Sequence, residues 1–188
     1  MDEPILDRFR KIPNVAAILD NLCDFQLLDE PQPGWFALTS GEPLRVVGRD
    51  GAGGRFCLHQ PANGATALLY ISSEGEAGVI AGSLAAGIAM MVALPYWRDC
   101  LKFSAGGRFE EMRRAQAQFE AELRARWSNI DEVRSLLFRA FAITAPDAPL
   151  EALHAAVSES GSRQVVAPRD RNPFASLFNT FAVPRRPS

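Results

Sequence analysis

Cys57 and His59 stand two apart in Arg55-Phe-Cys-Leu-His59, a spacing that on an extended strand puts both side chains on one face. There a thiol can meet an imidazole base, the start of a cysteine nucleophile. Such a nucleophile also needs a third group to orient its base, and nothing nearby in the sequence marks one. Phe56 and Leu58 take the opposite face, so a packed strand already accounts for the alternation, and a small enzyme working through Cys57 and His59 is the alternative reading. His154 is the only other histidine, without H-E-x-x-H or an acidic neighbour, and is expected on the solvent side of a short helix. No metal and no cofactor are expected. Gly51-Ala-Gly53-Gly54 falls short of a dinucleotide fingerprint because the third glycine would fall at Phe56 and a strand follows, so the run reads as a hairpin turn. Neither Lys11 nor Lys102 lies in a phosphate loop, which excludes a P-loop NTPase. Glu74 and Glu76 are spaced like paired carboxylates. Yet Ser73, three residues before Glu76, gives the spacing of a capping box, with Glu74 favouring the positive end of the helix that follows. Trp35, Tyr96 and Trp97 suit either interface anchors or core packing, and core packing is the commoner use.

The elements that must position these residues follow from the pattern around them. The chain has 188 residues, 47% of them hydrophobic, enough for one domain with a real core. Its 20 basic side chains against 22 acidic ones leave a charge of −2, without the basic excess that sequence-independent nucleic-acid binding needs. Residues 1–103 carry 12 acids and 8 bases, and residues 104–188 carry 10 acids and 12 bases, an acidic front ahead of a basic tail. Three widely spaced cysteines and an acidic start, Met1-Asp-Glu-Pro4, fit reduced thiols in a cytoplasm.

Residues 5–25 read as one or two short helices broken at Pro13. Trp35–Leu38, Leu44–Val47, Arg55–His59 and Ala67–Ile71 read as four strands of an antiparallel meander. From Ala77 to Trp97 there is no charge. The small residues that fill one side of this run predict a buried core helix, with a membrane anchor as its alternative. Helices are further expected over 108–127, with Glu110–Arg114, Glu120–Arg124 and Glu122–Arg126 pairs outside, from Ile130 through Phe141, and from Pro149 through Val157. The fold class is therefore α+β, a sheet of about four or more antiparallel strands packed against helices, with a helical C-terminal half. Residues 1–158 make one domain, and 159–188 a mobile basic tail in which Asn172 to Phe181 can dock as an apolar hook.

The run Val46-Val-Gly-Arg-Asp-Gly-Ala-Gly-Gly-Arg-Phe-Cys-Leu58, then Leu69-Tyr-Ile-Ser-Ser-Glu-Gly-Glu-Ala-Gly78 and a helix containing Ser83-Leu84, resembles the bacterial SUKH immunity-protein superfamily, which also includes fungal cell-wall-synthesis regulators. The resemblance implies an α+β fold and a non-enzymatic role: binding a cognate toxin, often a nuclease, inside the producing cell. It transfers no catalytic residues. On that reading the toxin-binding face is acidic and rimmed with aromatics, and Glu42, Asp50, Glu74, Glu76, Trp35 and Tyr96 are its expected members.

Overall fold

Alternation of apolar side chains decides the centre of the molecule, a computed structural model that describes residues 3–28, 34–61, 64–159, 165–167 and 172–184. Four strands, β3 (Leu44–Arg49), β4 (Arg55–His59), β5 (Ala67–Ile71) and β6 (Glu76–Ala81), follow one another as an antiparallel meander. At one edge β1 (Gln26–Leu27) pairs antiparallel with β3; at the other β8 (Ala175–Ser176) pairs parallel with β6. The sheet is thus six-stranded and mixed, in the order β1-β3-β4-β5-β6-β8. β2 (Ala37–Leu38) and β7 (Val165–Val166) form a separate two-stranded sheet.

Both faces of the meander are covered, which is why β4 and β5 read as nearly unbroken apolar runs. Phe56, Leu58, Leu68, Tyr70 and Ile80 point into a core shared with the helices. Their neighbours Val46, Cys57, Leu69, Ile71 and Val79 point the other way, into a smaller core closed by Phe36, Leu38, Val165 and Phe174. Each fully buried Leu, Ile or Phe contributes about 1.5–3 kcal/mol through removal from water. The helical layer holds α1 (Glu3–Lys11), α2 (Pro13–Cys23), α3 (Leu84–Ala93), α4 (Trp97–Lys102), α5 (Phe109–Arg126), α6 (Ile130–Phe141) and α7 (Pro149–Ser158). Pro13 opens α2 and Pro149 opens α7, each at a position where the missing N–H has no helical partner.

The charge-free run is where structure and sequence part. It is no single helix: its first residues are β6, Leu84–Ala93 is helical, and its last residue, Trp97, opens α4. Ser73 and Glu76 do not cap a helix. They sit in the turn of the β5–β6 hairpin, which closes with Ser72 N–H donating to Glu76 O at 2.8 Å. The helix starts instead at Ser83, whose hydroxyl accepts the Ala86 N–H at 3.1 Å. The physical reason is the alternation hidden in the run, with Val79 in one core and Ile80 in the other, which a strand satisfies and a helix does not. Among the described residues no helix is long and apolar enough to cross a membrane, and α3, the helix within this run, has 10 residues.

Smaller differences have similar causes. The first expected strand leaves the meander and covers its far face as β2, a role sequence spacing does not reveal. On α5 the Glu120–Arg124 pair forms at 2.6 Å, whereas Arg113 and Arg114 turn to Glu110 and Glu111 one residue nearer. Of the tail expected over 159–188, residues 160–164, 168–171 and 185–188 lie outside the described residues, and residues 172–184 are docked against the domain, with Leu177 and Val183 buried.

Candidate functional site

Chemistry-bearing side chains converge where α2 ends, the β3–β4 turn closes and α4 begins. Asp24 caps α2 in the left-handed conformation (φ 51°), and its Oδ1 accepts the Gly51 N–H at 2.8 Å. Asp50, the first residue after β3, has a side chain shielded completely from solvent. A buried carboxylate has to be fully paired, and this one is. Its Oδ1 accepts the Gly54 N–H at 2.7 Å, and its Oδ2 accepts both the Tyr70 hydroxyl and an Arg98 guanidinium N–H, each at 2.5 Å. The second arm of Arg98 donates to Asp24 Oδ2 at 2.5 Å. One arginine therefore ties α4 to both the C-cap of α2 and the β3–β4 turn. Its guanidinium also lies 5.9 Å from the ring centre of Tyr70 and 5.7 Å from that of Trp97, within cation–π range. Burial, with the bond to Asp50 second, pushes the Tyr70 hydroxyl well above the ordinary tyrosine range, so it stays a donor.

This clasp forms the floor of a cleft of about 480 Å³. Trp97, Arg98, Leu101 and Lys102 of α4 make one wall, and Ser72, Ser73, Glu74 and Glu76 of the β5–β6 turn another. The third is the C-terminal segment, through Leu177, Asn179 and Phe181. Ser72 organises the turn: its hydroxyl oxygen accepts the N–H groups of Glu74 and Glu76 at 3.2 and 3.1 Å. Glu76 in turn accepts the side-chain amide of Asn179 at 3.1 Å. Glu74, Lys102 and Phe181 project outward at the rim, and Phe181 is 54% exposed, unusual for a phenylalanine. Trp97 is fully buried, and its indole N–H has no partner among the described residues.

Of the six residues expected to form one face, only Glu74 and Glu76 lie at this cleft. Asp50 is not on a surface: as the interior acceptor of the clasp it has no exposed oxygen to offer a partner. Tyr96 is buried as well, its hydroxyl donating at 2.6 Å to Glu120, which also holds Arg134. Glu42 is exposed, and its Oε2 lies 3.1 Å from Nε2 of the buried His59. Trp35, 41% exposed, meets Phe36 edge-on and leans against Phe174 in the layer over the opposite face of the sheet. The two residues that organise the floor, Asp24 and Arg98, carry no local signature. The available signal was a lone arginine directly after an apolar run, a charge that must find a carboxylate once its neighbours are buried.

The cysteine reading fares differently. Cys57 shares a strand face with His59, as its spacing requires, but it is wholly buried, and that burial pushes its thiol up to about 12. A thiol so fully protonated at neutral pH is a poor nucleophile. His154 does not face solvent freely. Its Nε2 lies 2.9 Å from Gly107 O and its ring packs between Phe109 and Phe178. Among the described residues no three His, Cys, Asp or Glu side chains are grouped to hold a metal ion. Comparison with known proteins gives no match to a family model, to a curated protein or to a solved structure.

Proposed function

We propose that the protein is an immunity-type binding module that neutralises a cognate toxin by protein–protein contact in the cytoplasm, with the cleft between α4 and the β5–β6 turn at the centre of its interface. One observation carries the reading. The segments that resemble SUKH immunity proteins, Val46–Leu58 and Leu69–Gly78, are adjacent hairpins of the meander, and their turns and Tyr70 meet at this cleft. Its rim offers what a tight contact uses, an exposed aromatic anchor in Phe181 and charges of both signs in Glu74 and Lys102, over a floor already fixed by the clasp. Interfaces of this kind need no reacting group. Rim charges set the encounter rate and register, and the aromatic supplies buried area.

Capture from a lysate of cells expressing the neighbouring genes, followed by reconstitution, tests this. The expected result is one multidomain protein held near one-to-one through a C-terminal domain that arrests growth when expressed alone and is harmless with this chain. Glu74→Lys and Phe181→Ala should then each weaken the complex by roughly tenfold or more while leaving the unfolding midpoint unchanged. A growth-arresting partner bound equally well by both variants would move the interface elsewhere; the absence of any stoichiometric partner would remove the proposal.

A further inference from the structure

The third wall of the cleft is held unlike the other two. Residues 175–183 run as an extended strap across the start of β6, the loop after α4 and His154 in the middle of α7, and most of what fixes them is backbone. Three consecutive residues of that loop, Ala105, Gly106 and Gly107, have positive φ (48°, 82° and 90°). The Ala105 and Gly106 N–H groups each donate at 2.7 Å, the first to Phe181 O and the second to Asn179 O. The buried Ser104 adds its hydroxyl to Asn179 O at 3.0 Å, and Asn179 N–H donates to Leu101 O at 3.2 Å. With its side-chain amide on Glu76, every polar atom group of Asn179 except its own Oδ1 is spent on attachment, and Oδ1 orders the strap by accepting the Thr180 N–H. Upstream, Ala175 N–H donates to Gly75 O, and only two residues pair with β6. Apolar anchoring is thin. It comes from Leu177 in the main core, Phe178 over Gly107 and His154, and Val183, buried at the far end where Arg114 donates to its carbonyl oxygen at 3.2 Å, while Ala175, Ser176, Phe181 and Ala182 remain exposed.

That is how a sheet edge and a set of oriented N–H groups receive an extended peptide: backbone bonds provide attachment and a few side chains provide selection. We propose that the start of β6 and the 104–107 loop form a receptor groove for an extended segment, occupied in cis by residues 175–183 as a strap that lifts independently of the core and yields its place to a partner segment carrying the same Leu-Phe-Asn chemistry. Lifting removes one wall of the cleft and frees the backbone of Gly75 and β6. Regions that open this way exchange their amides through local rather than global unfolding.

Amide hydrogen exchange on the full chain tests the strap without any toxin present, so its failure leaves the immunity reading standing and the converse also holds. The Ala105 and Gly106 amides, protected only by strap carbonyls, should exchange at least roughly 100-fold faster than those of β4 and β5. In Asn179→Ala they should lose roughly a further tenfold in protection while β4 and β5 do not change, and excess synthetic peptide spanning residues 172–184 should restore that protection. Exchange of Ala105 and Gly106 at the rate of β4 and β5 in the unaltered chain would show the strap to be an integral part of the core. That comparison stands even if Asn179→Ala fails to fold. Unrestored protection at saturating peptide would refute the receptor groove.

Discussion

Replacing Arg98 with methionine keeps an unbranched apolar stem of similar reach and removes the guanidinium from the clasp. Asp50 is then left with two donors, the Gly54 N–H and the Tyr70 hydroxyl, and no countercharge. Breaking a buried ion pair by removing one partner costs about 3–5 kcal/mol. The Arg98 side chain is 32% exposed and Asp50 keeps two bonds, so the lower end applies, about 3 kcal/mol. The arm to Asp24, whose side chain is 41% exposed, adds only about 0.5 kcal/mol. The two ring contacts contribute a similar amount, for a loss of about 4 kcal/mol in all. With a urea slope of about 2 kcal/mol/M, the unfolding midpoint should fall by about 2 M, followed by circular dichroism at pH 7. Asp50→Asn and the double variant complete the cycle. Because the two groups share one buried bond, their effects should fall short of adding by at least about 1 kcal/mol. A midpoint shift below about 0.3 M for Arg98→Met, or strict additivity with Asp50→Asn, would show that the clasp does not organise the cleft floor.

Gly54 has no side chain because a Cβ there would lie 2.7 Å from both Asp50 Oδ2 and Tyr70 Oη; Gly54→Ala should therefore destabilise by about 2–3 kcal/mol in the same urea assay, and a neutral result would mean the network can shift. Hydrogen bonds from Arg134, opposed by burial and supported by Tyr96, hold the Glu120 carboxyl down at about 2. Its folded pKa lies below the unfolded value of about 4.3, so its stabilisation is complete above that pH and fades as pH falls toward 2. Thermal melts should accordingly show Glu120→Gln less stable than the unaltered protein at pH 6 and level with it near pH 2; a gap independent of pH would contradict the assignment. Burial pushes the thiols of Cys57 and Cys100 up to about 12 and raises Cys23 as well, so all three should resist iodoacetamide at pH 8 and react together in denaturant. Fast alkylation of Cys57 in the folded protein would revive its reading as a nucleophile.

The strands whose period is carried by large residues were legible: Arg55–His59 and Ala67–Ile71 have their expected bounds, and α6 and α7 start where their apolar stripes and Pro149 say. β6 was not, because Ala77, Gly78 and Ala81 are too small to display an alternation, and the small residues of α3 extend the same composition past Ser83. Ser73 has the cap-like spacing, but pairing with β5 draws its turn into a hairpin and leaves the cap to Ser83. The cleft was half legible. Glu74 and Glu76 stand out in the sequence because they lie in or beside a turn, which sequence marks well; Asp24, Asp50 and Arg98 meet across 74 and 48 residues of chain, a juxtaposition no local spacing encodes. Asp50 was misread as a surface charge for the same reason, since a carboxylate beside a glycine-rich turn is ordinarily solvated unless a distant cation comes to it.

Clasp and strap hold the cleft walls by different means, and for the proposed interface that inequality bears on how a partner would bind. The floor is fixed by short, charge-assisted bonds on a wholly buried carboxylate, so its geometry is set before any partner arrives and its ordering is not charged against affinity. The strap side rests mostly on backbone bonds and a two-residue strand pair, with charged partners in Glu76 and Arg114, the kind of attachment that opens before a sheet core. A partner that engages Glu74 and Lys102 can therefore use a preset floor while it adjusts or displaces the strap. Glu76 joins the two parts, since the turn carrying Glu74 is tied through the neighbouring carboxylate to Asn179. If the rim binds as proposed, its occupancy and the docking of the strap are linked through one hydrogen bond, and by reciprocity a partner whose binding weakens strap docking by some factor is itself bound more weakly by that factor while the strap is docked.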